Sequence, residues 1–201
     1  KHNGKGGYGT FWKKKLGGKE RQHMETKFSL ISIITTPLLL LGLVACSAPK
    51  VSAVANIINL QTETLLGVAK FTETKKGVIL NVELETEKNA TLAVHIHQFG
   101  NCSDVDGKSA GGHWNPTEEN HGAWGDGSFH SGDLGNITTD KNGKGSLEVI
   151  DVFGRWSLDK DKITTVLNKA IIVHAGMDDM TSQPSGAAGK RIGCGEIKNI
   201  K

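Results

Sequence analysis

Residues 65–85 read LLGVAKFTETKKGVILNVELE. Within them, Asn81-Val82-Glu83-Leu84-Glu85 alternates polar and apolar side chains, the period-2 pattern of a half-exposed strand. Residues 65–71 form a second run of apolar and β-branched character, and Lys75-Lys76-Gly77 between the two runs signals a turn. The same grammar continues outward. Residues 54–60, 91–97, 146–152 and 170–173 are strand-like, and Asn142-Gly143-Lys144-Gly145 marks another turn. No segment after Cys46 sustains a helical period. The expected class is all-β, with short strands closing into a sandwich or barrel. Residues 100–136 and the shorter segment 176–189 interrupt the pattern. Both are rich in Gly, and such long stretches in a compact domain are functional or disordered.

Residues 1–23 are polar, basic and Gly-rich and open on Lys1, so we read them as an upstream extension with Met24 as the initiator. Residues 24–45 read as a lipoprotein signal peptide, ending LLLLGLVA before Cys46. Leu43-Val44-Ala45-Cys46 resembles the bacterial lipobox, in which the cysteine is lipidated. The competing reading is one transmembrane anchor, since the apolar run approaches the ~18 residues a span needs. Residues 46–52 would then be a tether and 53–201 the functional domain. Residues 1–45 hold eight Lys/Arg and two acidic residues, leaving sixteen basic and nineteen acidic from Cys46 onward, a net −3. The basic balance of the chain belongs to the segment expected to be removed, so nucleic acid is not an expected partner. Cys102 and Cys194 remain as an even pair in an exported domain, either bridged or as two buried thiols.

The histidines after Cys46 carry the chemistry. His95 and His97 stand at i and i+2 in a strand and so share a face, with Ile96 opposite. His113, His121, His130 and Asp133 supply three imidazoles and a carboxylate, a closed set of the kind zinc accepts. His174 ends the run Ile171-Ile172-Val173 and could complete an all-imidazole set with His95 and His97, which suits copper(II).

At this point the chain resembles the copper/zinc superoxide dismutases of the bacterial, exported type. The matching segments are HIHQFGNCS (95–103), AGGHWNP (110–116), Asn120-His121-Gly122, HSGDLGN (130–136), IIVHAGMDD (171–179) and GKRIGCGEI (189–197). The resemblance implies a Greek-key β-sandwich or flattened barrel with two long functional loops. It implies copper on His95, His97, His113 and His174, and zinc on His113, His121, His130 and Asp133, with His113 bridging the two. It gives Asp178 the role of a carboxylate linking a copper ligand to a zinc ligand, Cys102–Cys194 that of a disulfide, and Arg191 that of the cation attracting the anion. The implied reaction is dismutation of superoxide to dioxygen and hydrogen peroxide, with His113 supplying a proton.

Some features depart from the pattern. Ala93-Val94 replaces a common Gly-Phe. The second loop carries Met177, Met180 and Pro184 where many relatives place charged residues, leaving Lys190 and Arg191 to steer the anion. Trp114, Trp124 and Trp156 are unusually many; Trp156 and Phe153 read as core or edge packing, with a homodimer contact as the sharper alternative. A dismutase-like carrier of copper or zinc is the alternative function, although a carrier would be expected to have lost some ligands or Arg191. The expected location is the periplasm, lipid-anchored through Cys46, with the outer membrane favoured because Ser47 is not the aspartate that often retains lipoproteins at the inner membrane.

Overall fold

The computed structural model describes residues 51–200. The expected extension, signal peptide, lipidated Cys46 and most of the tether lie outside the described residues. The described residues form nine strands: β1 (Val51–Asn59), β2 (Leu65–Thr74), β3 (Gly77–Glu85), β4 (Thr91–His97), β5 (Asp133–Thr138), β6 (Lys144–Asp151), β7 (Ala170–His174), β8 (Arg191–Glu196) and the two-residue β9 (Lys198–Asn199). No α-helix occurs among the described residues; a single 3-10 turn spans Lys108–Ala110. Val51 and Ser52, assigned above to the tether, are the first residues of β1, where Val51 pairs with Thr72 and Ser52 accepts a hydrogen bond from the Ile200 amide.

The strands order as β5-β4-β7-β8-β1-β2-β3-β6, all neighbours antiparallel, with β9 on β1. The links β3–β4 and β6–β7 join strands that are not neighbours, as in a Greek key. The barrel is nearly closed. Edge strands β5 and β6 make no ladder with each other, yet a Cβ on Gly145 of β6 would stand 2.9 Å from the Thr138 carbonyl oxygen of β5.

The pleat sorts the side chains. In β3, Val78, Leu80, Val82 and Leu84 point inward while Asn81, Glu83 and Glu85 face outward. Phe71, fully buried, meets the ring edge of Trp156 with centroids 6.1 Å apart. Leu92, Val94 and Ile96 of β4 and Ile171 and Val173 of β7 also enter the main core. Fully burying one such side chain contributes roughly 1.5–3 kcal/mol. The alternate residues on these strands therefore face the outside of the barrel wall. There Ala170, Ile172 and Cys194 pack with Ala110 into a second cluster beneath the first long loop. The histidines of β4 and β7 belong to this covered outer face.

Residues 133–136, expected to belong to the first long loop, instead open β5, and residues 191–199, which carry no strand signal in the sequence, form β8 and β9. Gly135, Asn136, Gly193 and Gly195 dilute the β-propensity of these segments, and pairing with β4, β7 and β1 supplies what the local sequence lacks. Trp156 is core, 5% exposed, and its indole donates to the Ser131 carbonyl at 2.7 Å. Phe153 is 52% exposed.

Candidate metal centre

Both ladders that flank the site are interrupted where they meet it. The β4–β5 register shifts between Val94 and His95, setting His95 opposite Asp133. The β7–β8 register shifts between Val173 and His174, setting His174 opposite Arg191. Such bulges re-aim a side chain without ending the strand. Each one here places a histidine against a charged partner.

The first loop then folds back over β4. The Gln98 and Phe99 amides bond the Gly112 and Ala110 carbonyls, His97 bridges to His113, and the Trp114 amide bonds the Ile96 carbonyl. His113 is thereby laid beside β4, with its ring centroid 3.9 Å from that of His95 and 5.1 Å from that of His97. A Cys102–Cys194 disulfide ties this loop to β8, so the bridged alternative holds. The bond spans 92 residues, and closing a loop of that size stabilises by roughly 4–5 kcal/mol in the chain-entropy model. Farther along, Arg155 clasps Glu119 by donating from Nη1 and Nη2 to its two carboxylate oxygens, and lies 4.2 Å over the Phe129 ring. With the Trp156 bond to Ser131, this pins the segment bearing His130 to the barrel.

Two groups result. One ring nitrogen from each of His95, His97, His113 and His174 lies within 4.8 Å of the others, and donor atoms of His113, His121, His130 and Asp133 do the same. All seven residues picked out in the sequence are brought together, and His113 belongs to both groups. Five buried ring nitrogens have no hydrogen-bond partner: Nδ1 of His95, Nε2 of His97, Nε2 of His113, Nδ1 of His121 and Nε2 of His174. An unsatisfied buried polar atom costs about 1–3 kcal/mol, so five in one place require an occupant. The donor set fits two metal ions, one among four imidazoles and one among three imidazoles and a carboxylate.

The other nitrogen of several rings is held. His97 Nδ1 donates to the Gly111 carbonyl at 2.9 Å and His174 Nδ1 to the Gly189 carbonyl at 3.2 Å. Asp178 accepts from His95 Nε2 on one oxygen at 2.8 Å and from His121 Nε2 on the other at 2.9 Å, so it joins the two rings that the family resemblance led us to expect it to link. Bonds of this kind fix ring orientation and tautomer. Asn136 clamps the Asp178 backbone in turn, donating to its carbonyl at 2.9 Å and accepting from its amide at 2.8 Å. Gly186 passes directly over the link. A Cβ there would stand 1.8 Å from Asp178 Oδ1 and 2.7 Å from His121 Nε2, so only glycine admits the close approach. Sequence reasoning missed the Gly111 and Gly189 carbonyls, because a backbone acceptor leaves no mark on residue identity. Arg191 donates to the Gly107 carbonyl at 2.6 Å, which fixes its side chain beside the end of β7.

Asp133 is held well below the ordinary carboxylate range. Burial pushes its pKa up, but hydrogen bonds from His113 and His130 outweigh that. His121 Nδ1 also lies 3.0 Å from Asp133 Oδ2, without the alignment of a hydrogen bond. Burial, with neighbouring histidines adding to it, pulls His97 well below its usual value, His113 down to about 4 and His174 down to about 3. His121 goes the other way: burial lowers it, but Asp178 and Asp133 together raise it. The unfolded chain protonates its histidines near pH ~6.5. A histidine depressed in the fold therefore gives stability above that pH and loses it as the pH falls toward the folded value. Three depressed residues oppose one that is raised. The metal-free protein should lose thermal stability between pH ~6.5 and ~4, by up to ~1.4 kcal/mol per pH unit for each depressed histidine. A melting temperature that is flat across that interval would contradict the assignment of neutral rings.

The comparisons with known proteins agree with this geometry. The family model described as copper/zinc superoxide dismutase (SODC) matches residues 65–197. The Cu-Zn superoxide dismutase 1 of Aquifex aeolicus is 39% identical over 148 residues, covering 72% of this chain and 86% of that protein. Its Cu-Zn superoxide dismutase 2 is 36% identical over 171 residues, covering 84% of this chain and 98% of that protein. A crystal structure of a SOD-like protein from Bacillus subtilis superposes with a TM-score of 0.64 at 29% identity, over 71% of this chain and 96% of that one. The clock protein EA4 superposes with a TM-score of 0.65 at 28% identity, over 77% and 98%. The fold, the two converging groups of ligand atoms and this matched span lead to one assignment: the chain belongs to the copper/zinc superoxide dismutase family.

Proposed function

We propose that in this superoxide dismutase His95, His97, His113 and His174 hold copper, that His113, His121, His130 and Asp133 hold zinc, and that the His113 ring is shared between the two ions. The observation that carries this reading is the set of five buried, partnerless ring nitrogens, four of them in the all-imidazole group. Bound copper supplies the one-electron cycling by which two superoxide ions become dioxygen and hydrogen peroxide, while zinc supplies fixed positive charge. The chain does the rest. His113 Nδ1 lies 2.8 Å from Asp133 Oδ1, on the side of the zinc group, so its Nε2 belongs to the all-imidazole group and is the ring atom that would take up a proton and deliver it where peroxide forms. Asp178 keeps the His95 and His121 rings from rotating. Arg191, half-buried and opposite His174, presents the cation that seats a small anion, and Lys190 beside it adds to the attraction.

A direct test is superoxide dismutation by the purified protein, with copper and zinc counted in the same sample. Fast, cyanide-sensitive turnover at one ion of each metal per chain is expected. Both metals bound without turnover would favour the carrier reading, which the intact ligand set and Arg191 argue against.

We also propose that the protein faces the periplasm, held to the outer membrane by a lipid on Cys46. The motif Leu43-Val44-Ala45-Cys46 supports this. Cys46→Ala should move the protein from the membrane fraction to the soluble one, whereas retention in the membrane would mean that an apolar segment anchors it. Sedimentation of the released form reads the proposed homodimer through exposed Phe153: a doubled mass supports it and a monomer removes it.

A further inference from the structure

Gln183 stands in the second loop, 62 residues from His121, and its side-chain amide engages both backbone polar groups of that histidine. The His121 amide donates to Gln183 Oε1 at 2.9 Å, and Gln183 Nε2 donates to the His121 carbonyl at 2.9 Å. Nε2 also donates to the Thr181 carbonyl at 3.2 Å, which fixes the amide plane from its own side of the loop. This is the two-bond pairing of a β-ladder, made here by one side chain. The same loop grips the His121 ring through Asp178 at 2.9 Å. One ligand is thus held at backbone and ring by a single segment, and that segment carries Met177, Met180 and Pro184 where steering charges were expected.

We propose that Gln183 is a positioning residue for the zinc site: it fixes the backbone of His121 so that Nδ1 stays aimed at the ion shared with His113, His130 and Asp133. The inference rests on the zinc assignment above. Gln183 itself is exposed, so truncating it opens no cavity and leaves the barrel core untouched. A ligand whose supporting contacts are removed must be ordered at the moment of binding, and lost outer contacts of this kind typically weaken metal affinity by roughly 10- to 100-fold.

The experiment compares the parent, Gln183→Ala, Gln183→Glu and His121→Ala, each stripped of metal and titrated with zinc and with copper against a chelator of known affinity. Cobalt(II) in the zinc site reports ligand geometry by its visible absorption. Glutamate keeps an acceptor for the His121 amide but sets a second acceptor against the His121 carbonyl, so it breaks half of the clamp. Both Gln183 variants should bind zinc roughly 10- to 100-fold more weakly, with an altered cobalt spectrum, copper affinity within twofold of the parent and an unchanged melting temperature of the metal-free form. Zinc affinity within twofold of the parent in both variants would overturn the proposal. Equal losses of copper and zinc affinity would also overturn it, because they report general loosening. If His121→Ala itself keeps the parent's zinc affinity, the zinc assignment fails rather than the clamp.

Discussion

His113→Ala should abolish dismutation, lowering the rate by more than ~100-fold, and should lose zinc as well. Every other ligand serves one group, whereas this residue serves both. Its removal takes one imidazole from His95, His97 and His174 and one from His121, His130 and Asp133. In the mechanism proposed above, it also removes the ring nitrogen that delivers a proton. On the zinc side, Asp133 loses the 2.8 Å bond from His113 Nδ1 that helps hold it ionised, and the carboxylate is buried. His130→Ala provides the contrast, since it touches the second group alone. Metal counts and turnover on the two variants check the claim. A His113→Ala protein that keeps one copper and one zinc per chain and at least a third of the parental rate would contradict the shared ring.

Arg191→Ala should retain both metals and lose roughly tenfold or more of the rate, together with much of its dependence on ionic strength. A cation placed in a cleft raises the arrival rate of a small anion by roughly 10- to 1000-fold, and salt screens that attraction. This chain concentrates the effect, because its short second loop leaves Arg191 and Lys190 as the basic residues between positions 175 and 196. Among the described residues, Arg191 makes no hydrogen bond to a histidine. Its bond runs to the Gly107 carbonyl, so the ligand groups should survive its loss. Arg191→Lys keeps the charge but not the guanidinium geometry, and should fall between the two. Equal rates in mutant and parent, measured at low salt, would remove the arginine from the reaction.

Much of this centre is legible in the sequence because its logic is local. The i, i+2 spacing of His95 and His97 fixes a shared face, and Ile96 does enter the core on the other side. The span from His113 to Asp133 is a single loop whose donors lie in order along it. Where the chain folds by tertiary pairing, the sequence is less informative. β8 reads Arg-Ile-Gly-Cys-Gly-Glu, and its two glycines hide a strand that β1 and β7 hold in register. The hidden β5 begins at Asp133, the carboxylate proposed to hold zinc, and contains Gly135 at φ 115, a conformation foreign to ordinary strands. The two register shifts cannot be read from residue types at all, yet they set His95 against Asp133 and His174 against Arg191. Gln183 escaped notice for a similar reason. A glutamine in a polar loop reads as solvated until its partner, 62 residues away, is seen.

The proposed sharing of the His113 ring by two metals is tested most directly by anomalous diffraction. Crystals of the copper- and zinc-loaded protein would be measured on both sides of the copper and zinc absorption edges. Two separate peaks are expected, copper among His95, His97, His113 and His174 and zinc among His113, His121, His130 and Asp133, with His113 against both. Both elements at a single position, or a His113 ring in contact with only one of them, would contradict it.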